Sequence, residues 1–166
     1  MPNKRTSHQT IGGRIFSRLL DVIPDFASLE SGDYGKSEAA GFMALHLDVL
    51  HIDGDKVLVA LAHNYKHPSG DMIPDPDMQV VAYRDREYAE AVSYQDFFGY
   101  KEVWGGAGAA HASWQREMNS FLFSWLGNLI EQGHCVKLRS TESEQHPLSL
   151  QPLQPKRFHC RPTRYI

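Results

Sequence analysis

The chain predicts an α+β fold: an antiparallel β-sheet of about 4–6 strands, with an N-terminal helix and a long C-terminal helix packed on one face. Three features predict it. An apolar stripe at helical spacing lies near the start, a longer one lies near the end, and runs of β-favouring residues broken by turn dipeptides fill the middle. At 166 residues the chain has the size of one ordinary domain, long enough to bury a continuous core without staples.

The elements follow in order. In "RIFSRLLDVIPD", Ile15, Phe16, Leu19, Leu20 and Ile23 recur at helical spacing and Pro24 stops the run, which predicts the first helix. "SLESGDYGKSEAAG" is rich in Ser and Gly and reads as loop, with room for one short strand near Lys36. "FMALHLDVLHIDGDKVLVALAHNY" then reads as a β-hairpin closed at Asp53-Gly54, a dipeptide suited to the positive φ values of a two-residue turn. With that loop Ile52 opposes Asp55, and the register pairs Leu50 with Val57, Asp48 with Val59, His46 with Leu61 and Ala44 with His63. Alternation then places Met43, Leu45, Leu47, Val49, Leu58, Ala60 and Ala62 on an apolar face, and His46, Asp48 and His63 together on the other.

A second hairpin, "MQVVAYRDREYAEAVSY", turns at "RDRE", and "FFGYKEVW" offers a further strand. "GGAGAAHA" reads as a connector; it lacks the Gly-Lys-Ser/Thr ending of a phosphate loop, and no cofactor is expected. From Ser113 to Gln132, Trp114, Met118, Phe121, Leu122, Trp125, Leu126 and Leu129 form one helical stripe, with Gly133 placed for a left-handed stop. The expected domain spans residues 8–134, and residues 135–166 are expected as an extended or partly disordered basic tail.

Composition narrows the class. Hydrophobic residues at 42% and charged residues at 22% are ordinary for a globular protein. No apolar run reaches the roughly 18 residues of a membrane span, and the opening "MPNKRTSHQT" lacks the apolar centre of a secretory signal, so a cytoplasmic protein without membrane contact is expected. Two cysteines, each after a histidine (His134-Cys135 and His159-Cys160), are too few for a disulfide framework and too closely set against their histidines for an ordinary zinc pair. Net charge is -3, but Lys137, Arg139, Lys156, Arg157, Arg161 and Arg164 face only Glu142 and Glu144 after residue 136. A basic tail therefore follows an acidic body.

"AHNYKHPSGDMIPDPDMQVVAY" is the most chemical segment. His63, His67, Asp71, Asp75 and Asp77 supply imidazoles and carboxylates, yet His67 precedes Pro68, so the helical ligand spacing is lost. The same residues suit a chain reversal, with Gly70 in the turn and "PDPD" stiffening the re-entry into the next strand. If an ion binds here, the candidate ligands are His63, Asp71, Asp75 and Asp77, although their spacing does not match a calcium loop. Binding candidates are His46, Asp48, His63, Tyr65, His67, Asp71, Asp75 and Asp77. Nucleic-acid candidates are Lys156, Arg157, Arg161 and Arg164, interleaved with Phe158 and Tyr165.

"RLLDVIPDF", "GFMALHLDVL", "VALAHNYKHPSGDMIPDPDMQV" and "REMNSFLFSWLGNLIEQG" together resemble an uncharacterised bacterial family, a domain of unknown function found on plasmids, phages and integrated elements. The resemblance covers residues 11–134. It implies that His63, Tyr65, Gly70, Asp71, Asp75, Pro76 and Asp77 belong to a shared motif, and it implies no reaction. The expected function is that of a small cytoplasmic binding or accessory protein that meets a protein partner through the polar sheet face and the 66–78 loop, in mobile-element or anti-defence biology. Two alternatives stand beside it: a metal-assisted hydrolase or nuclease at His63, Asp71, Asp75 and Asp77, and nucleic-acid binding through the tail.

Overall fold

The structure, a computed structural model, describes residues 10–66, 69–96, 98–103 and 109–139. Helix α1 (Ile11–Val22) opens where Thr10 Oγ1 accepts a hydrogen bond from the Gly13 amide at 3.1 Å, which satisfies one of the N–H groups left over in a first turn. Ile15, Phe16, Leu19, Val22 and Ile23 are buried. Leu20, expected among them, is instead 42% exposed. The apolar stripe runs through 15, 19, 22 and 23, and position 20 falls just beyond its margin.

Helix α2 (Ala109–Glu131) buries Met118, Leu122, Trp125, Leu126 and Leu129. Trp114 and Phe121, expected in the core, are each 41% exposed. Phe121 sits at the core's edge, its ring against Tyr94 at 5.2 Å. Gly133, at φ +82°, ends the helix as expected, and the His134 amide donates back to the Leu129 carbonyl at 2.9 Å.

Among the described residues seven strands form one antiparallel sheet: β1 (Tyr34–Ser37), β2 (Leu45–Asp53), β3 (Lys56–Lys66), β4 (Met72–Tyr83), β5 (Tyr88–Asp96), β6 (Gly99–Glu102) and β7 (Lys137–Arg139). Their order is β6-β5-β4-β3-β2-β1-β7. The count exceeds the expected four to six because Lys137–Arg139, from the segment read as tail, adds to the edge at β1. β4 also starts earlier than the sequence suggested. "PDPD" lies inside it, with a cis bond between Asp75 and Pro76, rather than in a connecting loop.

The β2–β3 hairpin is present, but its register corrects the expected one. Asp53 pairs with Lys56, so the loop is Gly54-Asp55, with Gly54 at φ +59°. Moving the loop by one residue shifts every pair by two and by itself would have left His46 and His63 on a common face. A bulge undoes that: between Val49 and His51 the strand carries one extra residue, Leu50. Beyond it Leu45 pairs with His63, His46 with Ala62, Leu47 with Leu61 and Asp48 with Ala60. His46 and His63 therefore point to opposite faces, because directly paired residues share a face.

One buried cluster joins Leu45, Leu47, Val49, Val57, Val59, Leu61, Met78 and Val80 of the sheet to Ile15, Leu19, Leu122, Trp125 and Leu126 of the helices. At the outer side of β5, α2 also serves the sheet's backbone. The buried Asn119 Oδ1 accepts from the Ala91 amide at 2.8 Å, and Gln115 Nε2 donates to the Ala91 carbonyl at 3.4 Å. Asn119 thus stands in for a neighbouring strand at that position. Asn119→Ala should cost about 1–3 kcal/mol, because it strands a buried N–H. Urea unfolding measures it, and a cost no greater than that of Gln115→Ala would mean that the amide is satisfied in another way.

Candidate functional site

The face opposite the buried cluster carries two cross-strand rows. Lys36, His46, Ala62, Asp77, Gln95 and Tyr100 form one, and Tyr34, Asp48, Ala60, Gln79, Ser93 and Glu102 the other. Alternation along β1 to β4 places them there, because the odd residues of β2 and β3 and the even residues of β4 fill the core. The small side chains of Ala60 and Ala62 floor a trough along β3. His46 and Asp48 rise from β2 on one side of it, and Asp77 and Gln79 rise from β4 on the other, their backbones about 10 Å apart across two strand spacings. All six residues are half-buried.

Two features of this face bear on chemistry. The Tyr34 hydroxyl and His46 Nδ1 share a hydrogen bond of 2.7 Å. Burial first, then the charges of Lys36 and other cationic neighbours, holds the His46 pKa below its ordinary value, so the imidazole is neutral at neutral pH. Tyr34 is pushed up, chiefly by burial. Across the trough, burial and then the charge of Asp48 raise the Asp77 carboxyl from 3.8 to about 6. The arrangement thus offers a neutral imidazole, a phenol and a carboxyl that changes protonation near neutral pH, grouped over a flat alanine floor.

Of the residues expected at a site, His46, Asp48 and Asp77 come together here. His63 does not. It is 6% exposed on the other face, its Nδ1 donates to the Ala44 carbonyl at 2.9 Å, and its ring meets Trp125 edge-on at 5.6 Å. Asp71 is exposed and accepts from the Ser69 hydroxyl at 2.8 Å, and Asp75 is exposed in β4. The set His63, Asp71, Asp75 and Asp77 is therefore not drawn around one point. Among the described residues no group of three or more His, Cys, Asp or Glu side chains is placed to hold a metal ion. Tyr65 lies in β3 opposite Ile73, and its side chain is not described. His67, Lys156, Arg157, Arg161 and Arg164 lie outside the described residues.

Tyr34 and Gln79 join the site without having been foreseen. Tyr34 could have been found from its alternation with Lys36 in the anticipated short strand, whereas Gln79 needs the β3–β4 register.

Fold and face together define an α+β protein in which a single antiparallel sheet buries one side and presents a polar cluster on the other. Residues 14–135 match the family model of DUF6908, a domain of unknown function, and the chain belongs to that family. No curated protein and no solved structure matches the chain. Among the described residues no helix is long and apolar enough to cross a membrane.

Proposed function

We propose that the protein is a small cytoplasmic binding module that engages a protein partner through the polar face of the sheet, with both helices lying over the other face. The trough supports this reading: an alanine floor between His46 and Asp48 on one side and Asp77 and Gln79 on the other gives a partner flat apolar contact flanked by hydrogen-bonding groups. An accessory role in mobile-element or anti-defence biology, in a bacterial family carried by plasmids, phages and integrated elements, belongs to the same proposal and rests on the resemblance of the "GDMIPDPDM" motif. A second reading, proton-transfer chemistry on a bound substrate, draws on one observation, the Asp77 carboxyl at about 6 opposite the Tyr34–His46 pair.

Ala62→Arg tests the leading reading, because it fills the trough without touching the core. Partners captured from the native host by the wild-type chain and identified by mass spectrometry should be lost from the Ala62→Arg chain, with the thermal midpoint held within a few degrees. Equal capture by both proteins would remove the polar face from consideration.

A further inference from the structure

On the buried side of the sheet, two histidines that the polar face does not use lie against each other. His63 of β3 and His134, just past α2, have ring centroids 5.6 Å apart and are 6% and 3% exposed. We propose that His63 and His134 form a two-imidazole site for a late first-row transition-metal ion, Cu(I) or Zn(II), bound through their Nε2 atoms.

The hydrogen bonds set this up. The His63 Nδ1–H is committed to the Ala44 carbonyl at 2.9 Å, an acceptor-only partner, so its Nε2 carries the lone pair. His134 Nδ1 lies 3.1 Å from Ser37 Oγ, and the same oxygen accepts from the Cys135 amide at 2.8 Å. With the proton on Nδ1, the hydroxyl oxygen accepts both bonds and Nε2 of His134 is bare; with the proton on Nε2, the hydroxyl donates to Nδ1 instead, and the site requires the first tautomer. Metal-binding histidines are typically fixed in this way, through the ring nitrogen that does not meet the metal.

His134 Nε2 is itself a buried polar atom with no hydrogen-bond partner. Such atoms are rare and costly, and an ion is one of the few groups that would satisfy a lone pair here. The ring separation fits as well. With metal–nitrogen bonds of about 2.0 Å, two imidazoles on one ion hold their centroids roughly 5–6 Å apart at tetrahedral to trigonal angles. Neutral nitrogen donors suit copper and zinc. Cu(I), with one charge and a tolerance for few ligands, leaves less charge uncompensated beside Trp125 than a divalent ion does.

The test uses the full-length chain, stripped of metal and titrated separately with Zn(II) and with Cu(I) against a chromophoric competitor. The expected result is one equivalent of at least one ion bound by the wild type, weakened at least tenfold in both His63→Gln and His134→Gln and unchanged in Cys135→Ser. Absence of stoichiometric binding of either ion, or binding at the wild-type level in either histidine variant, overturns the proposal and assigns any affinity to other residues. Because those variants remove buried groups, ¹⁵N NMR of the metal-free wild type gives an independent reading. Both Nε2 atoms should be unprotonated, and a protonated Nε2 on His134 would also overturn the assignment.

Discussion

Leu61→Arg is expected to abolish folding, while Ala62→Arg, one residue along the same strand, leaves it intact. Leu61 is fully buried in the cluster shared by sheet and helices, opposite Leu47. Replacing it removes packing worth about 2–5 kcal/mol and puts an unpaired cation where its hydration is lost, at a further several kcal/mol. A domain whose whole stability is on the order of 5–15 kcal/mol does not survive that sum. Ala62 points the other way, between His46 and Asp77, and keeps contact with solvent. An added arginine there can reach water along its own stem, so the cost should stay within about 1 kcal/mol. Circular dichroism and urea unfolding of the two variants read the result. Had the bulge at Leu50 been absent the two neighbours would still differ, so the companion pair Leu47→Arg and His46→Arg is needed to locate β2. The first of that pair should unfold the protein, and the second should be tolerated.

The bulge shows where sequence reasoning stops. The hairpin itself was legible, because two β-favouring runs around Asp-Gly have few other solutions. Which side chains share a face was not, because one extra residue in β2 reverses the answer for every residue before it. A signal was present in "LHLDVLHID". The apolar positions run 45, 47, 49 and then 50, 52, so the alternation changes phase at Val49-Leu50, as it must if Leu50 is looped out to 45% exposure. Both helices were legible from spacing. Their margins, Leu20, Trp114 and Phe121, were not, since helical periodicity fixes the centre of a buried stripe better than its width.

The candidate site was half legible for a related reason. His46 and Asp48 were assigned to an accessible face correctly, but Asp77 belongs with them only because β4 pairs with β3 so that Asp77 meets Ala62. That register passes through an irregularity between Ala62 and Asn64 and through the prolines of "PDPD", which local rules treat as a reason to stop the strand. The same motif supplied His63 to the opposite side. A segment that looked like one cluster in the chain therefore divides between two faces: a carboxyl that faces the trough and an imidazole that faces Trp125 and His134.

Asp77→Asn should stabilise the fold at pH 7.5 by about 1–3 kcal/mol and do nothing at pH 3.5. The folded protein holds this carboxyl at about 6, against 3.8 for an ordinary aspartate, so between those values the native state binds a proton that the unfolded chain has released. Stability therefore falls as pH rises from roughly 4 to 6, and above that range the fold carries the full cost of ionising Asp77. At 1.36 kcal/mol per pH unit the shift corresponds to about 3 kcal/mol, with the lower part of the expected range reflecting screening by water at a side chain that is only half-buried. Asparagine keeps the shape of the neutral acid and removes the charge. Urea midpoints of the two proteins across this pH range should converge below pH 4 and separate above pH 6, and parallel curves would mean that Asp77 ionises as it does in the unfolded chain. Asp48→Asn should remove the smaller part of the effect by deleting the neighbouring charge, which ¹³C carboxyl titration of Asp77 would show as a lower midpoint. A side chain whose replacement strengthens the fold contributes nothing to holding it together, and groups placed for a ligand are among those that carry such a cost. If the polar face is the partner-binding surface, Asp77→Asn should make the protein sturdier and its partner capture weaker at once. A purely structural residue would move both in the same direction.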